Sequence, residues 1–243
     1  MKKVPQLSVF FPAYNEEENI KDTLVKAIRV LKEIADKWEA IVVNDGSTDR
    51  TGEIVKQLAK ENENIRLITH KVNKGYGGAI KTGIFSSRYS LIAYMDSDGQ
   101  FDFEEIKKFL AQIKKADLVA GYRKKRIDSL YRRVLARILW LADWGLFGLT
   151  VKDVDCGFKL FKKEVVDKIG KLVTESAITE TEFVVRAKKA GFKIAQVGVN
   201  HNPRVEGEQT GGKLKIILKA AIEGLKLWQL LLKEQDEQKK LCG

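Results

Sequence analysis

Apolar runs of strand length recur along the first half of this chain, separated by stretches with helical patterning, and this alternation limits the possible folds more than any other feature. The runs are Leu7-Ser8-Val9-Phe10-Phe11, Ala40-Ile41-Val42-Val43, Ile65-Arg66-Leu67-Ile68 and Leu91-Ile92-Ala93. Such near-continuous runs suit strands buried on both faces. Between the first two, Ile20, Leu24, Ala27, Ile28, Leu31 and Ile34 fall at helical spacing, and Ile54, Val55, Leu58 and Ala59 do so after the second. Asn15 is predicted as the N-cap of the first helix, with Glu16, Glu17 and Glu18 at its positive end. Asn44-Asp45-Gly46 has the composition of a hairpin turn, but the helical pattern behind it predicts a strand-to-helix loop. Further helices are predicted over 102–115, 164–169 and about 179–189, and strands over 117–121, within 153–161 and over 192–199. The expected fold is α/β: a mostly parallel, Rossmann-like sheet flanked by helices, with ligands gathered outside the carboxyl ends of the strands. Residues 12–16, 45–48 and 96–100 all lie at such ends.

The last of these loops carries the most chemistry. In Tyr94-Met95-Asp96-Ser97-Asp98-Gly99-Gln100 a continuing strand would project Asp96 and Asp98 the same way, roughly 6 to 7 Å apart. Two carboxylates facing one cleft suppress each other's ionisation unless a cation lies between them. Mg²⁺ or Mn²⁺ is the natural partner of such oxygens, and Gln100 offers a third. Gly99 allows the backbone to turn. The same residues also suit an ordinary polar turn that caps the next helix.

Elsewhere the signals are broader. Gly75, Gly77 and Gly78 in Asn73-Lys74-Gly75-Tyr76-Gly77-Gly78-Ala79 permit either a phosphate-cradling loop or a tight turn, and they match neither the Walker spacing nor a dinucleotide fingerprint. Formal net charge is +11, from 44 Lys plus Arg against 33 Asp plus Glu, which favours an anionic partner. The most basic stretch opens at Tyr122-Arg123-Lys124-Lys125-Arg126 and interleaves with Trp140, Trp144 and Phe147, as in a helix at a membrane interface or one packed on a sheet. Over 213–233 the chain is again amphipathic, with Leu214, Ile217, Leu218, Ala221, Ile222, Leu225, Trp228 and Leu232 away from the lysine face. That helix covers the sheet, lies on lipid, or docks on a membrane partner. Basic residues beside aliphatic runs, without exposed stacking aromatics, argue against nucleic acid as a partner. Two cysteines, Cys156 and Cys242, give neither a disulfide framework nor a zinc site and fit a reducing, cytoplasmic setting. The first strand starts too early for a cleaved signal peptide, and no uncharged apolar stretch is long enough to span a bilayer.

Taken together, Phe11-Pro12-Ala13-Tyr14-Asn15-Glu16, Val43-Asn44-Asp45-Gly46-Ser47-Thr48-Asp49, Asn73-Lys74-Gly75, Asp96-Ser97-Asp98-Gly99-Gln100 and Asp155-Cys156-Gly157-Phe158-Lys159 resemble family 2 glycosyltransferases of the GT-A fold. Within that family the chain looks most like the polyprenyl-phosphate sugar transferases such as dolichol-phosphate mannose synthase. The resemblance covers about residues 5 to 210. It implies a catalytic domain over 1–210 followed by an amphipathic helix and tail over 211–243, a GDP- or UDP-sugar donor, Mg²⁺ or Mn²⁺, and inverting transfer to a polyprenyl phosphate. It assigns Pro12, Tyr14, Asn15, Glu16 and Asp45 to the nucleotide, with Ser97 nearby and His201 in the loop before Arg204. Asp96, Asp98 and Gln100 would hold the metal, and Arg123 and Arg204 would meet phosphates. A lipid phosphate is already ionised and needs no general base. A hydroxyl acceptor would need one, and Glu180 or Glu182 is the place to look unless both serve only the helix N-terminus. The resemblance places such an enzyme at the cytoplasmic face of a membrane, held peripherally or by a partner subunit. Gly207-Glu208-Gln209-Thr210 departs from the Gly-Glu-Ser-Lys-like loop of many relatives. The competing expectations are transfer to a glycan or protein hydroxyl, and a silent nucleotide- or lipid-binding module.

Overall fold

The computed structural model describes residues 2–125, 137, 141, 144–203 and 214–242. Its strands are β1 (Val4–Ala13), β2 (Ala35–Asn44), β3 (Ile65–Thr69), β4 (Leu91–Met95), β5 (Leu118–Arg123), β6 (Phe158–Lys162) and β7 (Ile194–Val199). Its helices are α1 (Ile20–Ile34), α2 (Thr51–Glu61), α3 (Tyr76–Ser86), α4 (Ile106–Gln112), α5 (Lys163–Ile169), α6 (Ile178–Lys189) and α7 (Leu214–Cys242). The seven strands form one sheet in the order β3-β2-β1-β4-β6-β5-β7. Pairing is parallel except at β6, which runs antiparallel to both β4 and β5. Because β1 sits between β2 and β4, the strand order reverses there, and a crevice opens at the carboxyl ends of β1 and β4.

Both faces of the sheet are covered, as the continuous apolar runs require. Leu7, Val9 and Phe11 of β1 pack with Leu24 and Leu31 of α1, Val55 of α2 and Phe109 of α4. Phe10, Ile41, Ile92 and Tyr94 face the other way, onto Ile80 and Ile84 of α3, Phe183 and Val184 of α6, and Ala220, Leu227 and Leu231 of α7. Successive strand residues therefore enter different cores, and neither face can be polar.

Two expectations need correction. β2 begins at Ala35 directly after α1, five residues before the predicted run, because the polar sequence Asp36-Lys37 and the charged Glu39 conceal its first half. Glu39 is buried, but it accepts from Ser8 Oγ at 2.6 Å, Arg66 Nη1 at 2.5 Å and the Arg88 backbone N–H at 2.8 Å. A charge satisfied in this way can stay in a core strand. Asn15 does not cap α1: Asn19 stands at that position, and Asn15 is left-handed at φ 54°. Its Oδ1 instead accepts the Thr48 backbone N–H at 2.9 Å, tying the loop after β1 to the loop after β2. Asn tolerates this backbone region better than most residues, which is why it occupies the turn.

Candidate active site

The crevice is assembled from loops that hydrogen-bond across the switch point. At the β1 edge, the Glu16 backbone N–H donates to Thr51 Oγ1 at 2.8 Å and the Asn15 N–H to Ser47 Oγ at 3.0 Å. The carboxylate of Glu16 accepts from Asn19 Nδ2 at 2.9 Å, while Tyr14 stands 41% exposed on the rim. Ser97 Oγ donates to the Pro12 carbonyl at 2.7 Å, locking the loop after β4 to the end of β1. Asp45 is buried, with Oδ1 accepting from both His70 Nδ1 at 2.6 Å and the Lys74 N–H at 2.9 Å.

Asp96 follows the last residue of β4, and its backbone N–H donates to Gly157 O at 2.9 Å. Tyr76, the first residue of α3, donates its hydroxyl to Asp96 Oδ1 at 2.8 Å. Asp98 Oδ1 accepts the Gln100 N–H at 3.0 Å across the turn that Gly99 makes at φ 76°. Gln100 uses its side-chain nitrogen on Asn202 O at 3.0 Å, so its oxygen is left as a donor atom. The same bond, with Asn202 N–H to Gln100 O at 2.8 Å, fastens the loop after β7, where the His201 ring lies 5.2 Å from Phe101.

Burial pushes the Asp96 carboxyl well above its ordinary range, repulsion from Asp98 and Glu180 adds to this, and the Tyr76 hydrogen bond and Lys159 oppose it. A bound divalent cation would relieve the first two effects directly. The donor set fits a hard ion: two carboxylates and an amide oxygen. Among the described residues no cluster of three His, Cys, Asp or Glu side chains could hold a metal ion alone. An ion here would complete its shell with ligand phosphate and water, as Mg²⁺ and Mn²⁺ commonly do.

The position of Asp96 depends on a residue to which the sequence reading gave no role. A Cβ at Gly157 would sit 1.9 Å from Asp96 Oδ2, so only glycine lets the carboxylate occupy this place. Phe158 holds the Gly157 backbone by stacking on Phe109 and Phe103, with ring centroids 4.5 and 6.0 Å away. From below, Lys159 Nζ donates to the carbonyls of Val154 and Cys156, each at 2.8 Å, and pairs with Glu180 Oε1 at 2.5 Å. Gly157→Ala is expected to lower kcat/KM by about 10- to 100-fold and to weaken metal binding in proportion, while costing about 1–3 kcal/mol of stability. Titration with Mn²⁺ together with a denaturant melt separates the two effects.

Other sequence candidates fall differently. Arg123 lies at the end of β5, but its Nε and Nη2 both bond Asp153 at 2.7 Å, so that edge of the guanidinium is occupied. Asp155 beside it is pushed up to about 6, first by burial and then by Glu180 and Asp153. Arg204 and most of the basic stretch over 126–143 lie outside the described residues. Both helix glutamates are engaged. Glu180 pairs with Lys159 and accepts the Tyr94 hydroxyl. Glu182 accepts the N–H groups of Val173 and Thr174 and bonds Arg186 Nε at 2.8 Å. Tyr76, Gly157 and Lys159 all lie in or beside motifs quoted from the sequence, whereas His70 carried no signal there.

A doubly covered, mostly parallel sheet, with an aspartate pair at the carboxyl end of the strand beside its switch point, has the GT-A architecture, and the class it defines is the glycosyltransferases. The profile of the family described as "Glycosyl transferase family 2" matches residues 8–170. A dolichyl-phosphate beta-glucosyltransferase of Trichomonas vaginalis is 33% identical over 239 residues, covering 91% of this chain and 72% of the relative. The dolichyl-phosphate beta-glucosyltransferase of Dictyostelium discoideum is 36% identical over 214 residues, covering 80% and 65%. In fold, the chain is similar to glucosyl-3-phosphoglycerate synthase from Mycobacterium tuberculosis in complex with Mn²⁺ and UDP-glucose, with a TM-score of 0.68 at 19% identity, covering 91% of this chain and 78% of that one. The chain belongs to glycosyl transferase family 2.

Proposed function

We propose that the chain transfers glucose from UDP-glucose to a polyprenyl phosphate such as a dolichyl or undecaprenyl phosphate, with inversion at the anomeric carbon. The similar enzymes named above supply the sugar and the acceptor class, and the fold neighbour's ligand supplies the nucleotide. The observation that carries the acceptor reading is the engagement of Glu180 and Glu182. With Glu180 bonded to Lys159 and Glu182 to the 173–174 backbone and Arg186, neither presents itself as a base, which suits a nucleophile that arrives ionised.

In this reading Asp96, Asp98 and Gln100 would hold Mg²⁺ or Mn²⁺, which would supply charge neutralisation for the diphosphate. Pro12, Tyr14, Asn15, Glu16 and Asp45 bind the nucleoside, and Ser97 keeps the β1 and β4 loops in register beside it. Tyr76 and Gly157 hold the Asp96 carboxylate in place, so little reorganisation accompanies the reaction. Arg204, and the part of Arg123 not bound to Asp153, meet phosphate oxygens, with His201 in the adjoining loop. One acceptor phosphate oxygen forms a bond to sugar C1 as the C1–O bond to the diphosphate breaks. UDP leaves with the electron pair, and no proton moves.

The acceptor's lipid tail implies a membrane surface. No helix among the described residues is long and apolar enough to cross a membrane. The sequence pattern set Ile222, Leu225 and Leu232 away from the lysines, but the buried face of α7 is Ala220, Leu227 and Leu231, and its outer face exposes Ile222, Leu225 and Leu232 at 55%, 53% and 41%, with Lys219, Lys226 and Lys233 exposed beside them. Apolar side chains flanked by lysines suit peripheral binding to anionic headgroups at the cytoplasmic face. Changing Ile222, Leu225 and Leu232 together to Glu should reduce sedimentation with phosphatidylserine vesicles at least tenfold while leaving UDP affinity unchanged. Vesicle binding equal to wild type would remove the membrane role of this face.

The function itself is tested with radiolabelled UDP-glucose, Mn²⁺ and polyprenyl phosphate. Label should enter the organic phase as an acid-labile glucosyl lipid only when protein, metal and lipid are all present. Label that stays in the aqueous phase, whether as UDP-glucose or as a glucosylated hydroxyl acceptor, would overturn the proposal.

A further inference from the structure

The mechanism above leaves one buried ionisable side chain at the nucleotide edge without a task. His70 follows β3, and its backbone N–H donates to Asn44 O at 2.9 Å, which fixes the residue beside the end of β2. The side chain is buried, with Nδ1 2.6 Å from Asp45 Oδ1 and Nε2 2.9 Å from Thr82 Oγ1 on α3. Nδ1–H donates to the carboxylate in either ring form: in the neutral ring the threonine hydroxyl donates to Nε2, and in the protonated ring Nε2–H donates to the threonine oxygen. The Lys74 backbone N–H reaches the same carboxylate oxygen at 2.9 Å, and the Asp45 backbone N–H is held by Ala13 O at 2.8 Å. Two donors thus converge on Oδ1 from two different segments. Oδ2 takes no bond from any described residue.

We infer that His70 is a positioning residue for the donor nucleotide: it fixes the rotation of the Asp45 carboxylate so that Oδ2 alone is offered to the base, and in doing so it selects a uracil over a guanine. The inference rests on the reading of Asp45 as a nucleotide contact. A uracil edge presents one imide N–H between two carbonyls, which a single carboxylate oxygen satisfies. A guanine edge presents two parallel N–H donors, which a carboxylate matches best with both oxygens. With Oδ1 already occupied by His70 and Lys74, that bidentate match is closed. Releasing the carboxylate would weaken the uracil contact and remove part of the bias against guanine, because discrimination is a difference between two affinities.

Three variants separate this role from simple packing. His70→Leu removes both ring contacts, His70→Asn keeps a donor near the Nδ1 position, and His70→Gln keeps a polar group near Nε2, facing Thr82. The expected result for His70→Leu is a rise of about tenfold in both the KM for UDP-glucose and the Kd for UDP, with kcat within about twofold and half-saturation by Mn²⁺ unchanged. The ratio of GDP to UDP inhibition constants should fall by about the same factor. His70→Asn should restore donor KM to within about threefold, and His70→Gln should not. If His70→Leu does not fold, the Asn and Gln variants carry the same comparison. Wild-type UDP affinity and base preference in a folded His70→Leu or His70→Gln protein would overturn the inference while leaving the donor reading standing. A wild-type protein that binds no UDP would instead overturn the donor reading on which it rests.

Discussion

Replacing Asp96 by Asn is expected to lower kcat/KM by about a thousandfold or more and to abolish the thermal stabilisation given by Mn²⁺ with UDP, while the ligand-free protein melts no lower than wild type. The first two effects follow from losing one of the two carboxylates that would hold the ion at the leaving diphosphate. The third follows from the environment of Asp96. Burial and repulsion from Asp98 and Glu180 raise its pKa, so without a cation the ionised form works against the fold. Because the folded-state pKa is raised, the contribution of this group is fully present below its ordinary value near 3.8 and is lost as pH rises through the folded-state value. Asn, a neutral near-isostere, keeps the Tyr76 contact and removes that pH dependence. Melts of wild type and Asp96→Asn from pH 4 upward, without metal, should diverge in favour of the variant, and saturating Mn²⁺ should stabilise only wild type. A variant that still turns over donor at a tenth of the wild-type rate would end the case for Asp96 as a metal ligand.

The second large effect concerns stability. Lys159→Met should destabilise the protein by about 3–5 kcal/mol, since it leaves the Glu180 charge buried beside the Tyr94 hydroxyl and removes the donor serving two loop carbonyls. Side-chain exposure is 0% for Lys159 and 2% for Glu180, so neither can be rescued by solvent. For a chain of this size the midpoint should fall by roughly 10 °C. Adding Glu180→Met should recover much of the loss, because the uncompensated charge goes with it. Urea melts of the two single variants and the double variant give the coupling directly. If the single variant melts within 1 kcal/mol of wild type, the pair is not the support for the 153–157 loop described here.

The two glutamates show how far residue type alone can lead. At the start of a helix, Glu180 and Glu182 suit either a catalytic base or charge compensation for the helix N-terminus. The structure shows a third arrangement, in which one closes a buried ion pair close to Asp96 and the other gathers the 173–174 backbone onto α6. Asn15 is a similar case. Its residue type suggested a helix cap, but the left-handed turn it makes and the Thr48 backbone it binds there were not legible. Arg123 stood out as a basic residue, but its partner Asp153, thirty residues further along the chain, was not legible.

What the sequence determined alone was local: strands and helices in alternation, loops at the strand ends, and the Asp96, Asp98 and Gln100 oxygens grouped within five residues. Periodicity, turn chemistry and spacing along one segment are enough for that. Only the tertiary structure decided which side chains hold those groups in place. Tyr76 reaches Asp96 from 20 residues away, His70 reaches Asp45 from 25, and Lys159 meets Glu180 across 21. Gly157 matters because its missing Cβ is space for a carboxylate on a neighbouring strand. These relations depend on β4 crossing to lie beside β1, and on β6 returning antiparallel against it, and no window of sequence short enough to have a periodicity contains both partners.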